Sequence, residues 1–232
     1  MKLALLGYGR MGKAIEQIAL ERGHQIVCKI DKDQSEEELD GADVAINFSV
    51  PDAAVNNINM ALHNSIPVVC GTTGWLDGYG EVTQTALEKD TAFLYSSNFS
   101  VGVNLFFKLN KILAKMMRQH QDYKVTMEET HHIHKLDAPS GTAITLAEEI
   151  IKNSDLFQWK LKENGPNTVS INSFREGEVP GTHSVKYISL IDEISIEHKA
   201  HNRKGFALGA VIAAEWIADK KGIFKMEDVL NL

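Results

Sequence analysis

Three observations predict an α/β protein: an N-terminal parallel-sheet domain, an inserted α+β domain with a largely antiparallel or mixed sheet, and a final helix returning to the first domain. Short apolar runs alternate with amphipathic helical stretches over residues 1–101. A glycine-rich turn, Gly7-Tyr8-Gly9-Arg10-Met11-Gly12, separates the first apolar run from the first helical stretch. After residue 102 a long helical pattern gives way to alternating runs grouped around one loop dense in imidazole.

Residues 3–6 are uniformly apolar, the pattern of a strand buried on both faces. Residues 13–22 are helical, Gly23 fits the C-cap, and 25–30 form the next strand, ending at Asp31. This is G-x-G-x-x-G in a strand–turn–helix–strand unit with an acid about 20 residues on, the Rossmann dinucleotide-binding pattern. The glycines Gly7, Gly9 and Gly12 allow a tight turn and let a pyrophosphate approach the helix N-terminus, with Tyr8, Arg10 and Met11 between them. Asp31 can accept hydrogen bonds from the adenine-ribose hydroxyls, and the adjacent Lys32 can accommodate a 2′-phosphate. One residue of each kind suggests relaxed selectivity between NADH and NADPH, although Lys32 also reads as a solvated turn lysine.

The alternation continues with a strand at 42–48, a helix from Pro51 to about 64, a strand at 66–70, a helix over much of 79–89 and a strand at 92–95. Strand carboxyl ends face the ligand crevice in such sheets. That rule places Gly71, Thr72 and Thr73, and likewise Ser97, Asn98, Phe99 and Ser100, beside the nicotinamide. A helix then spans 103–119, with Leu105, Phe106, Leu109, Ile112, Leu113 and Met116 on its apolar side. Residues 123–132 read as a strand and 140–152 as a helix. Runs 168–175, 183–190 and 193–199 alternate like sheet strands, with Gly177 and Pro180-Gly181 in the turn between two of them. Val185, Tyr187 and Ile194 or Ile196 form an apolar surface on this sheet that needs a cover. Helical signal returns at 204–220, and the chain divides into domains at 1–101, 102–202 and 203–232.

Composition narrows the function classes. The 44% hydrophobic and 24% charged fractions over 232 residues belong to an ordinary soluble globule. A net charge of −7 gives no global basic field for nucleic acid or an anionic membrane. Cys28 and Cys70 form no C-x-x-C pair and lie in apolar runs, which suggests buried thiols in a reducing cytoplasmic compartment. Lys2 before a four-residue apolar run broken by Gly7 does not have the pattern of a signal peptide, and nothing approaches the length of a transmembrane span.

The densest chemistry lies in residues 129–143, where His131, His132, His134 and Lys135 run into the helix start Asp137-Ala-Pro139-Ser140-Gly141-Thr142. Pro139 presets φ for a first turn, and Asp137 or Ser140 can cap it. A helix N-terminus binds anions, so proton donors and a cation beside it suit a carboxylate-bearing substrate that is protonated during reaction. A metal site is less well served: His131 and His132 point to opposite sides of a strand, no H-E-x-x-H spacing exists, and both cysteines are distant. A solvated His loop, an NAD(P)-sensing module without turnover, a metal-dependent hydrolase and another amino-acid-linked dehydrogenase on the same fold remain open on the residues alone.

Taken together, the chain resembles the 4-hydroxy-tetrahydrodipicolinate reductase (dihydrodipicolinate reductase) family. The resemblance rests on the segment from Glu129 to Ala143, E-x-H-H-x-x-K-x-D-A-P-S-G-T-A, supported by Gly7 to Gly12, Gly71 to Gly74, Asn98 to Asn104, and Arg203 with Phe206 and Gly209-Ala210. The chain departs by its short connection between Asp31 and the third strand. The resemblance implies hydride transfer from NADH or NADPH to C4 of a cyclic imine dicarboxylate in lysine and diaminopimelate synthesis. It implies His131 as proton donor, Lys135 as a second donor or electrostatic group, and His132, Gly141 and Thr142 as substrate-binding residues. It also implies that Arg203 contacts the cofactor, that no metal takes part, and that the cytoplasmic protein is a homotetramer assembled through the second domain.

Overall fold

The structure is a computed structural model that describes residues 1–31, 39, 41–163, 165–202 and 204–232. Lys32 and Arg203 therefore lie outside the described residues. The chain divides into two compact units, Met1–Val101 with Lys204–Leu232, and Gly102–Arg203.

The first unit is built on a parallel sheet. Its strands are β1 (Lys2–Leu6), β2 (Gln25–Ile30), β3 (Val44–Asn47), β4 (Val68–Cys70), β5 (Ala92–Tyr95) and β11 (Gly222–Phe224), in spatial order β11-β5-β4-β3-β1-β2. Every pairing is parallel. The helices are α1 (Arg10–Glu21), α2 (Pro51–His63), α3 (Tyr79–Glu88), α6 (Lys204–Ile217) and the short α7 (Met226–Val229). Alternate side chains of each strand enter two cores. Leu3, Leu5, Val44 and Ile46 pack with Ile15 of α1 and with Ala207, Ala210, Val211 and Ala214 of α6. Ala4, Leu6, Ala45 and Val68 pack with Ile58 and Leu62 of α2 and Val82 of α3. Burial on both faces explains why these strands are apolar without alternation.

The strand order reverses between β1 and β3, the position where such sheets bind ligands. Gly7 follows β1 there with φ +102°, and a Cβ on it would lie 2.4 Å from the Phe48 carbonyl oxygen. Only glycine satisfies both constraints. α1 begins at Arg10, three residues earlier than the apolar spacing suggested, because the end of the glycine turn is already helical.

The second unit holds all but the first residue of α4 (Val101–Met117), then β6 (Lys124–His131), α5 (Gly141–Lys152), β7 (Gln158–Leu161), β8 (Thr168–Arg175), β9 (Thr182–Ile188) and β10 (Glu193–Lys199). Its sheet runs β10-β9-β6-β8-β7. The β10–β9 and β9–β6 pairs are antiparallel, whereas β6–β8 and β7–β8 are parallel, so the sheet is mixed. Of the two forms the sequence allowed, largely antiparallel or mixed, the sheet takes the mixed one. β8 and β9 do not pair with each other: β6 lies between them, and Gly177 to Gly181 cross over rather than make a hairpin. β7 and β11, with no strong alternation and only four and three residues, escaped the sequence pattern.

Val185 and Tyr187 do not await an outside cover. They are buried in one core with Met127, Val169 and Ile171, under Phe106 and Ala114 of α4 and Leu146, Ala147 and Ile150 of α5. The opposite sheet face carries Thr126, Thr130, Ser170, Asn172, Thr182 and Ser184, placed together by the strand register. Among the described residues no helix is long and apolar enough to cross a membrane.

Candidate active site

In the first unit, α1 starts at a Gly9 N-cap with no side-chain cap hydrogen bond, and a Cβ on Gly9 would meet nothing within 4 Å. The first-turn amides therefore lack the side-chain acceptor that most N-caps supply, and the space above them is open. Gly12 has a packing role: its Cβ would fall 2.3 Å from Gly7 O. Tyr8 turns its hydroxyl to Glu16, its ring lies under the Lys29 ammonium at 4.7 Å, and Lys29 pairs with Glu16 at 2.6 Å. Arg10 is exposed, Met11 half-buried, and Asp31 exposed just past β2.

The loops after β4 and β5 are held from within. Thr72 is buried, its Oγ1 accepting from Ser49 N at 2.9 Å and Asn47 Nδ2 at 3.3 Å, while Thr73 is exposed. Asn98 Oδ1 accepts from Ser100 N at 2.9 Å, and Ser97 is exposed. Phe99 is a core residue, with its ring 5.6 Å from that of Phe48. Its carbonyl is so close to α6 that a Cβ on Gly209 would lie 1.6 Å from it. Thr72, Phe99 and Ser100 thus shape the loops, leaving Thr73, Ser97 and backbone groups at the surface.

The second unit concentrates ionisable groups at the end of β6. Glu129 has a side chain with no solvent exposure, and both of its oxygens accept from Ser140 N at 3.1 Å. Arg175, at the end of β8, reaches Glu129 Oε1 from Nη2 at 3.3 Å. The same guanidinium donates from Nε to the Lys135 carbonyl at 3.2 Å and from Nη2 to the Asp137 carbonyl. Parallel register β6–β8 brings Arg175 opposite His131. Period two puts Glu129 and His131 on the same face, and β9 adds His183 to it.

His131 Nε2 lies 3.5 Å from Glu129 Oε2 and 3.3 Å from His183 Nε2, which in turn lies 3.1 Å from Ser140 Oγ. Burial raises the cost of charge on Glu129, yet hydrogen bonding from His131 and Ser140 outweighs it and holds the carboxyl far below the usual range. Burial, reinforced by repulsion from His131, pushes His183 down to about 4, so it is neutral at pH 7.

The three clustered imidazoles of the loop separate in the fold. His131 faces Glu129 and His183, while the His132 ring neighbours His134 with centroids 6.1 Å apart, and the exposed His134 pairs with Glu178. Among the described residues, the group with metal-like spacing is Glu129, His131 and His183. Its carboxylate is already engaged by the Ser140 amide and the Arg175 guanidinium, and Lys135 adds positive charge nearby, so the group suits a carboxylate-held imidazole better than a bound cation.

Lys135 donates to Asp137 at 2.8 Å. Ser140, rather than Asp137, is the N-cap of α5, its hydroxyl accepting from Ala143 N at 3.2 Å, and Pro139 stands just before the cap instead of in the first turn. The Gly141 and Thr142 amides are left for an acceptor outside the helix, and a Cβ on Gly141 would meet nothing within 4 Å. Glu129, Arg175 and His183 were missed as site residues. Glu129 was visible as part of the signature, whereas His183 and Arg175 lie 52 and 44 residues beyond His131 and carry no local motif.

A dinucleotide-type α/β unit joined to a unit that groups imidazole, ammonium and an open helix start defines a two-part oxidoreductase. The chain belongs to the dihydrodipicolinate reductase family: the family profile described as "Dihydrodipicolinate reductase, N-terminus" matches residues 1–99, and that described as "Dihydrodipicolinate reductase, C-terminus" matches residues 102–230. It is 54% identical to the 4-hydroxy-tetrahydrodipicolinate reductase of Christiangramia forsetii over 100% of this chain and 98% of the relative. It is 38% identical to that of Chromobacterium violaceum over 84% and 75%. Among solved structures, a dipicolinate-bound dihydrodipicolinate reductase from Paenisporosarcina sp. TG-14 has the same fold, with a TM-score of 0.83 at 20% identity over 100% of this chain and 99% of that one. A more distant fold relative is the DAP dehydrogenase of C. glutamicum, at TM-score 0.53 and 12% identity, covering 99% and 95%.

Proposed function

We propose that the protein reduces 4-hydroxy-tetrahydrodipicolinate, or its dehydrated form dihydrodipicolinate, to tetrahydrodipicolinate with NADH or NADPH, in diaminopimelate and lysine synthesis. The observation that carries this reading is family membership over both units, joined to a signature segment that runs from His131 and Lys135 into the open start of α5. The Gly7–Gly12 turn fits a nicotinamide dinucleotide, since the uncapped start of α1 and the open space at Gly9 leave room for a pyrophosphate. When bound, the cofactor supplies a hydride to C4 of the substrate.

The protein's share is binding and protonation. The Gly141 and Thr142 amides and the Thr142 hydroxyl clamp one carboxylate, with His132 as a further substrate contact. Hydride addition leaves an electron-rich enamine, and His131 delivers the proton that completes reduction. Dihydrodipicolinate, NAD(P)H and one proton thus become tetrahydrodipicolinate and NAD(P)⁺; from the 4-hydroxy form the C4 hydroxyl first leaves as one water, which opens C4 to the hydride. The Lys135 cation favours the electron density that develops before that proton arrives. Asp31, the loop residues Gly71, Thr72, Thr73, Ser97, Asn98, Phe99 and Ser100, and Arg203 form the rest of the cofactor site, with Lys32 as the group that meets a 2′-phosphate. The protein is cytoplasmic.

The first unit is the dinucleotide domain, and the second binds substrate and assembles a homotetramer. Support for assembly is a β9–β10 turn that exposes Leu190 and Ile191 almost completely. Loss of absorbance at 340 nm tests the activity, with substrate generated by the synthase that condenses pyruvate with aspartate semialdehyde. Turnover with either cofactor is expected; oxidation of neither defeats the reading.

A further inference from the structure

Among the described residues of the second unit Glu129 is the most deeply buried charge, and no part of the reaction as described above uses it. Its position deepens the proposed reading of His131 and rests on it. We propose that Glu129 is a positioning residue that holds the Nε2–H of His131, with His183 completing the clamp, so that the proton given to the substrate leaves from Nδ1.

The geometry carries the assignment. Nε2 of His131 is turned inward, 3.5 Å from the carboxylate and 3.3 Å from His183 Nε2. A nitrogen facing an anion and a neutral imidazole is favoured as a donor, so it keeps its proton. The other nitrogen, Nδ1, is the one left to exchange a proton with a ligand. Gly181, ahead of β9, packs at the Cε1 corner between the two nitrogens: a Cβ there would lie 2.9 Å from His131 Cε1 and 3.3 Å from Nδ1, so the missing side chain is what leaves Nδ1 uncrowded. The ring is thus held by charge at Nε2 and met at Cε1 by a backbone that tolerates no side chain.

The carboxylate is itself fixed. The Ser140 amide and the Arg175 guanidinium bind it from two other elements, so it cannot swing away when His131 loses its proton. The same Ser140 caps α5 and touches His183, which ties the imidazole to the helix start proposed to bind the substrate carboxylate. The charged or titratable groups against His131 are Glu129 from β6 and His183 from β9; Arg175 from β8 acts through Glu129, and the charge of Lys135 from the loop is felt at His183. Of these, Glu129 alone is an anion, since His183 is neutral and the others are cationic. When His131 acts, the bond from Nδ1 to hydrogen breaks, the pair stays on Nδ1, and the neutral ring retains Nε2–H against the carboxylate.

Histidine-selective ¹⁵N labelling of the full-length wild-type chain reads the tautomer without substrate. The expected result is a neutral His131 with hydrogen on Nε2 and a pyridine-like Nδ1, and loss of that preference in Glu129→Gln. In turnover, Glu129→Gln is expected to lower kcat by about 10²-fold with KM little changed, and to move the alkaline limb of the kcat profile to lower pH. Glu129→Asp should recover part of the loss. An Nδ1–H tautomer in wild type overturns the proposal, as does a Glu129→Gln enzyme with unchanged kcat and pH profile. Stoichiometric zinc retained through chelation also overturns it, by making Glu129 a ligand. Should Glu129→Gln fail to fold, the wild-type tautomer decides alone. Wild-type protein that oxidises neither cofactor would defeat the reductase reading instead, a result distinct from the tautomer measured without substrate.

Discussion

The two units are built for their proposed partners by opposite means. The first uses missing side chains: Gly7, Gly9 and Gly12 leave a backbone surface, and a helix start bare of any capping side chain. The second uses buried charge, a carboxylate that no water reaches, saturated by an amide, a guanidinium and an imidazole. The difference follows from what each must do. A dinucleotide brings its own charge and its own reactivity, so its site needs shape and amide donors. A substrate awaiting a proton needs an acid whose ring and charge state are fixed in advance.

This contrast predicts where substitutions bite, and how. The largest effect belongs to the charged site. His131→Gln should lower kcat by roughly 10²–10⁴-fold, because it removes general-acid assistance, while its melting temperature stays near wild type; near-wild-type turnover would end the assignment. His134→Ala, on an exposed ring paired with Glu178, should be close to neutral in the same assay.

In the glycine-built site the damage should depend on which glycine is changed. Gly12→Ala drives a Cβ to 2.3 Å from a backbone oxygen, so about 1–3 kcal/mol of stability should be lost in denaturant titration. Gly9→Ala meets open space and should leave stability unchanged while weakening cofactor binding in calorimetry. Equal stability for both variants would mean that the turn is looser than its close approaches imply.

Acid should expose the buried charge. His183 in the folded chain is held down to about 4, below its ordinary 6.5, chiefly by burial. Between those values the unfolded chain takes up a proton that the folded chain refuses, so stability falls as pH drops from about 6.5 to about 4, by about 3 kcal/mol in all. Glu129 adds a further loss at lower pH, because its depressed folded value means that protonation costs its hydrogen bonds. His183→Gln should flatten the first segment and leave the second. The smallest effect concerns selectivity: Lys32→Ala should weaken NADPH more than NADH, and Asp31→Ala the reverse.

What the sequence revealed follows the same division. The glycine turn is local, six residues between a strand and a helix, so its tight geometry could be read directly, as could the apolar runs of a sheet buried on both faces. The imidazole loop was legible for the same reason. The clamp around His131 was not, because it depends on register: β6 had to be placed between β8 and β9 before Arg175 and His183 could reach Glu129. Apolar alternation also misplaced Val185 and Tyr187, since period two says that residues share a face but not which face the helices cover. The N-cap turned on a similar ambiguity, Asp137 against Ser140, which the Ser140–Ala143 bond resolves.

The central claim is a division of labour, with hydride from the dinucleotide held by the first unit and the proton from His131 of the second. Isotope labelling in paired reactions tests it most directly. With cofactor deuterated at the transferable C4 position in ordinary water, the product should carry one deuterium at its own C4. With ordinary cofactor in D₂O, deuterium should appear instead at the neighbouring carbon that held the enamine density, and His131→Gln should slow both reactions without exchanging the two positions. Solvent deuterium at C4, or cofactor label lost to water, would contradict the account.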